Sequence, residues 1–256
     1  MTEPTTRGGV AWWLRSYALL FRWALLRLRF VVPLMVLIQI VLSVGIVVGF
    51  AFLIPGVDED PVAAQYLSTG AMAIALIAVC MAFAPSMVSQ QKTQGIFDFQ
   101  RSLPVPRSAT LVADATTWVL VALPGLAAGM LAATLRFDLE LRVSPLALPA
   151  VLLVALTCVS IGYAIAYLVP PMAAQMTTNL VLFFALMFSP INFPEERLPE
   201  WLASLHDVLP LTYMAQAIRD TLAVPAEGVS GLPFAVLGLW CLAGLATTQW
   251  VMSRRG

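Results

Sequence analysis

Long apolar stretches alternate with short polar ones along most of the chain. Six of these stretches are each long enough to cross a hydrocarbon core of about 30 Å as a helix that rises about 1.5 Å per residue. They run from Val31 to Ile54, Val62 to Val88, Ala109 to Leu135, Pro145 to Val169, Met172 to Phe193 and Leu232 to Met252. The pattern predicts an all-α integral membrane protein with six transmembrane helices. No soluble region interrupts it, so we expect a single membrane domain over residues 1–256.

Before the first span, residues 8–29 combine basic and aromatic side chains. Arg15, Arg22 and Arg29 recur every seven residues, which places them in one stripe of a helix. Trp12 and Trp13 lie among the apolar residues on the rest of its surface. A basic stripe beside aromatic residues is typical of an amphipathic helix that lies in the membrane interface. The other interpretation is a solvated first turn of the next helix.

Prolines divide the segment 194–228, between the fifth and sixth spans, into pieces too short to cross a membrane. Proline ends helices and favours the first turn of new ones. We therefore expect two short amphipathic helices, which run from Pro199 to Val208 and from Pro210 to Val224. Trp201 and Tyr213 carry side chains that prefer the membrane interface, so both helices are expected to lie at the outer leaflet.

Composition agrees with a membrane protein, because 60% of the residues are hydrophobic and only 11% are charged, against about 25% charged in soluble domains. The net charge is zero, but the basic residues are unevenly distributed. If the N-terminus is cytoplasmic, ten of the 14 basic residues lie on the cytoplasmic side, and the acidic clusters at 57–61 and 194–200 lie outside. Positive-inside counting favours a multi-pass protein of the plasma membrane with both termini in the cytoplasm.

Several kinds of chemistry find little support. The only lysine, Lys92, lacks the preceding glycines of a phosphate-binding P-loop. The only histidine, His206, is expected to be an ordinary surface residue, and a lone histidine offers neither a base for a serine nucleophile nor a metal site. We predict no catalytic residue, metal or cofactor site on this chain, and no nucleic-acid partner. The cysteines each lie within an apolar run and are read as small apolar fillers: Cys80, Cys158 and Cys241.

Asp114 is the one acid well inside a predicted span. An intramembrane carboxylate is costly and marks a functional candidate. The alternative is a structural charge near the cytoplasmic end of the span, paired with a base such as Arg107. No chain of acids continues across the membrane, which speaks against a proton relay and against an ion channel or secondary transporter.

Two further patterns within the spans each leave two interpretations open. Gln175, Thr178 and Asn179 lie close together near the cytoplasmic end of the fifth span, where they either bond to other helices or line a passage. Two small-residue spacings allow helices to approach closely, within one chain or between chains. These are Gly45 with Gly49 and Gly125 with Gly129.

The polar segment 90–107 lies between the second and third spans. Its acidic, basic and amide side chains suit a short helix on the cytoplasmic face, and Phe97 and Phe99 offer apolar contacts. Such a helix, joined to two spans, would act as a lever against a soluble partner. A merely solvated loop explains the charges but not the two aromatic residues.

The chain resembles the ABC-2 type permeases, the transmembrane subunits of exporters driven by a separate ATPase, including the daunorubicin-resistance group. The first match is to the family's E-R-x-x-G-T-L-E loop, which is followed by a proline and a basic residue. It rests on Lys92, Gly95, Phe97, Asp98, Pro104 and Arg107, with Gln91 and Ile96 as departures. The second match is to F-P-x-x-x-L-P-x-W and a following P-L-T-Y-like turn. It rests on Phe193, Pro194, Leu198, Pro199, Trp201, Pro210, Leu211, Thr212, Tyr213 and Arg219, with Leu209 in place of the usual asparagine.

The resemblance implies a permease dimer, of two copies or two related chains, that carries two ATPase subunits with their ATP and Mg²⁺. The 90–107 segment, with Phe99 and Arg101, would be the coupling helix, seated in the ATPase beside the N-terminal helix. The substrate path would lie at the dimer interface, along spans one, two and five. The expected activity is export of an amphipathic drug or lipid from the cytoplasm or inner leaflet. The alternatives are export of a lipid-linked glycan, a channel or secondary transporter outside this family, and a membrane enzyme.

Overall fold

The computed structural model describes residues 9–57, 60–94, 105–139, 143–191, 199–223 and 228–254, and the regular elements in these ranges are all helices. In chain order they are α1 (Val10–Leu28), α2 (Val32–Leu53), α3 (Pro61–Ile77), a π-helix (Ala78–Phe83), α4 (Ala84–Thr93), α5 (Arg107–Phe137), α6 (Ala147–Leu168), α7 (Pro171–Phe188), α8 (Glu200–His206), α9 (Pro210–Leu222) and α10 (Leu232–Arg254). The predicted all-α class is confirmed.

Five helical segments are long and apolar enough to cross a membrane, and they coincide with the first five predicted spans. They are Val32–Leu53, Pro61–Gln90, Ser108–Phe137, Ala147–Leu168 and Pro171–Phe188. The sixth, α10, has 23 residues, and its apolar part, Leu232–Thr248, is shorter. The chain is a multi-pass membrane protein. Successive crossings place α1 on one side, here called the N-terminal side, and α8 and α9 on the other, here called the α9 side.

The second span forms the centre of the bundle. Every residue from Leu67 to Met81 is buried, and this helix contacts α2, α5, α6, α7 and α9. The sequence predicted one regular helix here, but the turn at Ala78–Phe83 is π-helical, and the N–H of Ala84 bonds to the carbonyl of Val79, five residues back. The irregular turn lies directly before Pro85, which has no N–H to donate and cannot continue a regular ladder.

Glycines decide how closely α2 and α5 approach each other. A Cβ on Gly125 would lie 2.6 Å from the side-chain amide of Gln39, and one on Gly129 would meet the hydroxyl of Ser43. The Gly125–Gly129 spacing therefore packs within one chain. A Cβ on Gly45 would meet nothing within 4 Å, and the same is true of its partner Gly49.

Gln39 also supports a weak point in α5. Pro124 lies inside that helix, and a proline leaves carbonyls of the preceding turn without their usual donor. With its amide oriented to satisfy both groups, the Gln39 nitrogen donates to the carbonyls of Val121 and Ala122, at 3.1 and 3.2 Å. A single polar side chain in the first span thus bonds to the third span in the turn that precedes its proline.

The two predicted outer helices exist, with slightly shorter bounds than expected: α8 begins at Glu200 and α9 ends at Leu222. Pro210 is the first residue of α9, where a missing N–H costs nothing. The buried face of α9 lies against α3, α6 and α10. Its last carbonyls accept bonds from the Gln65 side chain and the Ser144 backbone N–H. This helix is therefore fixed to the membrane bundle by its buried face and by its C-terminal end.

Candidate functional site

On the N-terminal side, α1 is attached to the beginning of α5. The indole nitrogen of Trp13 donates to the Ser108 hydroxyl at 3.0 Å, and the Tyr17 hydroxyl donates to Thr116 at 3.3 Å. Trp13 and Tyr17 stack with ring centroids 5.7 Å apart. Aromatic side chains that are apolar on their faces and polar at one end suit a helix held between lipid and water.

Apolar contacts continue the same attachment. Leu20 is buried in a small cluster with Ala109 and Ala113, and Val105 packs against it. The buried residues of α1 recur every fourth position, from Ser16 to Leu28, so one stripe faces the bundle. The predicted basic stripe lies on the exposed surface, since Arg15, Arg22 and Arg29 are all exposed, while Trp12 and Trp13 are partly buried. The amphipathic helix predicted for residues 8–29 therefore lies along the bundle and presents Arg15, Arg22 and Arg29 outward.

Asp114 lies in α5 and is partly buried. The nearby base is Arg27 of α1, whose charge acts on the carboxylate together with the Tyr163 hydroxyl of α6. The guanidinium of Arg27 also lies 4.9 Å from the Trp23 ring, and its Nη1 is buried without a hydrogen-bond partner. The acid thus connects α1 electrostatically to two spans. Arg107, the base expected from the sequence, is the first residue of α5, and its side chain is not among those the structure describes.

Most of the predicted coupling segment lies outside the described residues. The structure gives the helix positions of Lys92, in α4, and Arg107, in α5. Residues 95–104 lie outside the described residues, so the following stay predictions: Gly95, Phe97, Asp98, Phe99, Arg101 and Pro104. The chain leaves α4 at the end of the central span and returns at Val105, against the Leu20 cluster of α1. The two ends of the segment thus join it to the centre of the bundle and to the N-terminal helix.

The polar residues of the fifth span do not share one environment. Thr178 is buried, and its hydroxyl donates to the carbonyl of Ala174 in its own helix at 3.0 Å. Gln175 and Asn179 are exposed. Only three residues of α7 are buried within the chain, so most of this span is an open surface with an amide pair near its N-terminal end.

Arg219 of α9 forms hydrogen bonds and a ring contact with neighbouring segments on the α9 side. Its Nη2 donates to the carbonyl of Ile191 at 2.8 Å and its Nε donates to the Thr69 hydroxyl at 3.3 Å. Its Cζ lies 3.6 Å from the centroid of the Tyr66 ring. Burial lowers the pKa of this guanidinium from its ordinary value, while Tyr66 and Asp220 act in the opposite sense. Arg219 therefore fastens α9 to α3 and to the chain that follows α7.

The remaining predicted outer residues have structural positions. Pro199 caps the start of α8, and Trp201 is 71% exposed, as suits a side chain at the membrane interface. The Tyr213 hydroxyl donates to the carbonyl of Asp207 at 2.9 Å and closes the turn between α8 and α9. Pro194 lies outside the described residues.

The prediction that His206 is a surface residue is wrong, because its side chain is fully buried. It lies at the end of α8 and stacks on Phe184 of α7, with ring centroids 5.7 Å apart and planes 6° from parallel. Its Nδ1 lies 2.8 Å from the carbonyl of Leu202, and its Nε2 is buried without a partner. The sequence missed this contact because a polar residue in a short outer helix is usually exposed.

The cysteines are free and buried, as expected of apolar fillers. Within the described ranges, no three His, Cys, Asp or Glu side chains lie close enough to share a metal ion. The arrangement has no visible acid–base or nucleophilic centre among these residues. What it offers instead is a bundle covered by α8 and α9 on the α9 side, with an exposed fifth span and a basic helix beside the segment 95–104.

Comparison with known proteins agrees with this description. A sequence model of a protein family described as "ABC-2 type transporter" matches residues 16–223, which is most of the chain. The matched region runs from within α1 to the end of α9, so it includes the predicted coupling segment and the helices α8 and α9. A search among curated proteins finds no match.

Proposed function

Since the chain belongs to the ABC-2 type transporter family, we propose that this permease subunit exports an amphipathic small molecule or lipid, driven by a separate ATPase. Few charged residues lie within its spans, which favours a substrate that is itself largely apolar. We expect the subunit to lie in the plasma membrane with its N-terminal side in the cytoplasm, an orientation that the distribution of basic residues supports.

The observation that carries the proposal is the attachment of α1 to the start of α5, immediately after the segment 95–104. The Trp13–Ser108 bond and the Leu20 cluster hold the basic helix next to the point where the coupling segment re-enters the membrane. An ATPase seated here would contact both, with the exposed Arg15 and Arg22 at its edge. This surface lies where the family resemblance places the ATPase, which supports the proposal.

Movement of the coupling segment would act on the centre of the bundle. Its N-terminal end continues α4 and the buried second span, and its C-terminal end begins α5. The π-helical turn at Ala78–Phe83 interrupts the regular hydrogen bonding of that span, and such turns are frequent where helices deform in function. Closure of two ATPases around ATP and Mg²⁺ would therefore be transmitted to the second and third spans.

The open surface of α7 supports a second permease chain or a passage on that side. Exposed amides such as Gln175 and Asn179 are costly against lipid tails because nothing there can bond to them. A facing subunit or a polar part of the substrate would satisfy them. Since Leu67 to Met81 of the second span face the chain's own helices, spans one and five are the better candidates to line the path.

The test is gentle extraction of the tagged chain from its native membrane and identification of stoichiometric partners. We expect one ATPase subunit per permease chain and two permease chains per complex. Replacing Phe97 and Phe99 with alanine should release the ATPase or uncouple its ATP hydrolysis from transport, while Phe52→Ala, an exposed aromatic on the opposite side, should do neither. Isolation of the chain without an ATPase in several detergents would contradict the proposal.

A further inference from the structure

The outward face of α1 carries charges that the chain itself does not neutralise. Arg15, Arg22 and Arg29 are exposed, and among the described residues none of the three has an acid or a carbonyl as a hydrogen-bond partner. The Arg29 guanidinium lies over the Phe30 ring, with Cζ 4.4 Å from its centroid, a contact that leaves the N–H groups at its edge free to donate. This stripe is therefore open to a negatively charged partner.

The arginines separate two different flanks of α1. At about 100° per residue, the buried stripe from Ser16 to Leu28 lies almost opposite Arg22. On one side of Phe21's flank, that residue packs against the same Leu20 cluster as Val105, where the predicted coupling segment ends. The other flank, about 40–100° from Arg22, consists of exposed apolar residues: Leu19, Trp23, Leu26 and Phe30.

α1 lies at the level of the membrane surface on the N-terminal side. Its bonds and apolar contacts with α5 reach from Ser108 to Thr116, in the first turns of the third span. Arg29 lies three residues before Val32, where the first span begins, and Arg22 lies about 10 Å further along the same stripe. The guanidiniums are thus close to headgroup depth, a level that tryptophans such as Trp23 also prefer.

We propose that the outward stripe of α1 binds the headgroups of anionic phospholipids in the leaflet on the N-terminal side, with Arg22 and Arg29 as the principal contacts. The flank from Leu19 to Phe30 rests on the acyl chains of the same lipids. Guanidinium groups form charge-assisted, often bidentate hydrogen bonds with phosphate oxygens. A helix with arginines beside leucine, tryptophan and phenylalanine binds in the interface plane, and its affinity rises with the anionic fraction of the membrane.

A soluble protein is the poorer occupant of this flank. It would have to cover the exposed Leu26 and Phe30 at a depth where lipid is already present. It would also have to place acids about 10 Å apart, opposite Arg22 and Arg29. The proposed ATPase lies on the side of Val105, so the two partners contact different flanks of α1. The lipid site depends only on a membrane-embedded chain and not on the ATPase.

Native mass spectrometry of the purified full chain, with any subunits that stay bound, tests the proposal. The probe is an equimolar mixture of phosphatidylglycerol and phosphatidylcholine with identical acyl chains, added in mild detergent. We expect wild type to retain phosphatidylglycerol in preference. This preference should fall by about fivefold for each arginine removed in Arg22→Gln and Arg29→Gln. The double variant Arg22→Lys with Arg29→Lys keeps both charges and should keep most of it.

The apolar flank has its own matched pair of variants. Leu26 and Leu14 are 54% and 53% exposed, but they lie on opposite sides of the arginine stripe. Leu26→Gln should lower the retention of both lipids, because it removes apolar surface from the flank that rests on the acyl chains. Leu14→Gln should leave the retention unchanged. Equal effects of the two substitutions would overturn the placement of the lipid on this flank.

The headgroup contact is overturned if wild type retains the two lipids equally, or if the double glutamine variant retains as much phosphatidylglycerol as wild type. It is also overturned if that variant releases an ATPase subunit while its phosphatidylglycerol content stays the same, because the stripe would then be a protein contact. Absence of an ATPase from wild type and variants alike contradicts the proposed function instead, and the lipid measurement still decides this proposal.

Discussion

The contacts of Arg219 with α3 and with the chain that follows α7 give the sharpest quantitative prediction. Replacing Arg219 with methionine keeps much of the apolar stem but removes the guanidinium. The bond to the carbonyl of Ile191, at 2.8 Å, involves a charged donor, and such bonds contribute about 1.5–3 kcal/mol. The stack on Tyr66, at 3.6 Å, adds about 2 kcal/mol for a desolvated cation–π pair. Because the variant no longer buries a charge, we expect the free energy of unfolding to fall by only about 2–4 kcal/mol.

A double-mutant cycle separates the two contributions. Tyr66→Leu removes the ring, and its combination with Arg219→Met removes both partners of the cation–π pair. Since the two side chains are in contact, their effects should not add, and the interaction energy should be about 1.5–2 kcal/mol. Tyr66→Phe is the control, because it keeps the aromatic face and should lose less than about 0.5 kcal/mol of that interaction.

The assay is unfolding of the purified chain in mixed micelles with an increasing fraction of denaturing detergent, followed by circular dichroism. Hydrogen exchange of α9 should also rise in Arg219→Met, since the variant releases that helix from α3. If the effects of Arg219→Met and Tyr66→Leu are additive, with an interaction energy below about 0.5 kcal/mol, Arg219 does not hold α9 against α3 in the way proposed.

Three further predictions use the same unfolding assay. Gly162→Ala would place a Cβ against the Cγ of Pro85, and we expect the free energy of unfolding to fall by about 1–3 kcal/mol; an unchanged midpoint would contradict the close packing of α6 against α4. Gln39→Leu removes two hydrogen bonds beside Pro124 and should lower the free energy of unfolding by about 1–2 kcal/mol, since bonds between membrane helices average about 0.6 kcal/mol each. A Gln39→Leu or Gln39→Glu variant as stable as wild type would show that these bonds do not stabilise the contact between α2 and α5. His206→Phe keeps the ring stack and removes the buried Nε2 that has no partner, but it also removes the Nδ1 bond to the carbonyl of Leu202. Because these two changes oppose each other, its stability should stay within about 1 kcal/mol of wild type, whereas His206→Ala should lose about 2 kcal/mol or more.

Hydropathy located the spans and prolines located the outer helices. Apolar length alone identifies a membrane-crossing helix because the bilayer fixes the required length. Pro199 and Pro210 marked helix starts to within one residue, since proline fits the first turn and not the interior. The seven-residue spacing of Arg15, Arg22 and Arg29 likewise predicted an outward basic stripe on α1, because residues seven apart lie on the same face of any α-helix.

Pairings between helices were not predictable in the same way. The two glycine spacings look alike in the sequence, yet Gly125 and Gly129 pack against α2 while Gly45 and Gly49 face open space. A base that acts on Asp114 is Arg27, from a distant segment that sequence spacing did not point to. Each of these outcomes depends on which helix faces which.

The sequence by itself determined that the chain is a helical membrane protein, how many apolar segments it has and where its amphipathic helices begin. Only the tertiary structure decided that the second span is the centre, that its turn before Pro85 is π-helical, and that His206 is buried against α7. The physical reason is that a membrane helix is apolar on all sides. A lipid-facing surface and a protein-facing surface are then both largely apolar, so the identity of a helix's neighbours is set by shape and by a few polar contacts that only the folded chain brings together.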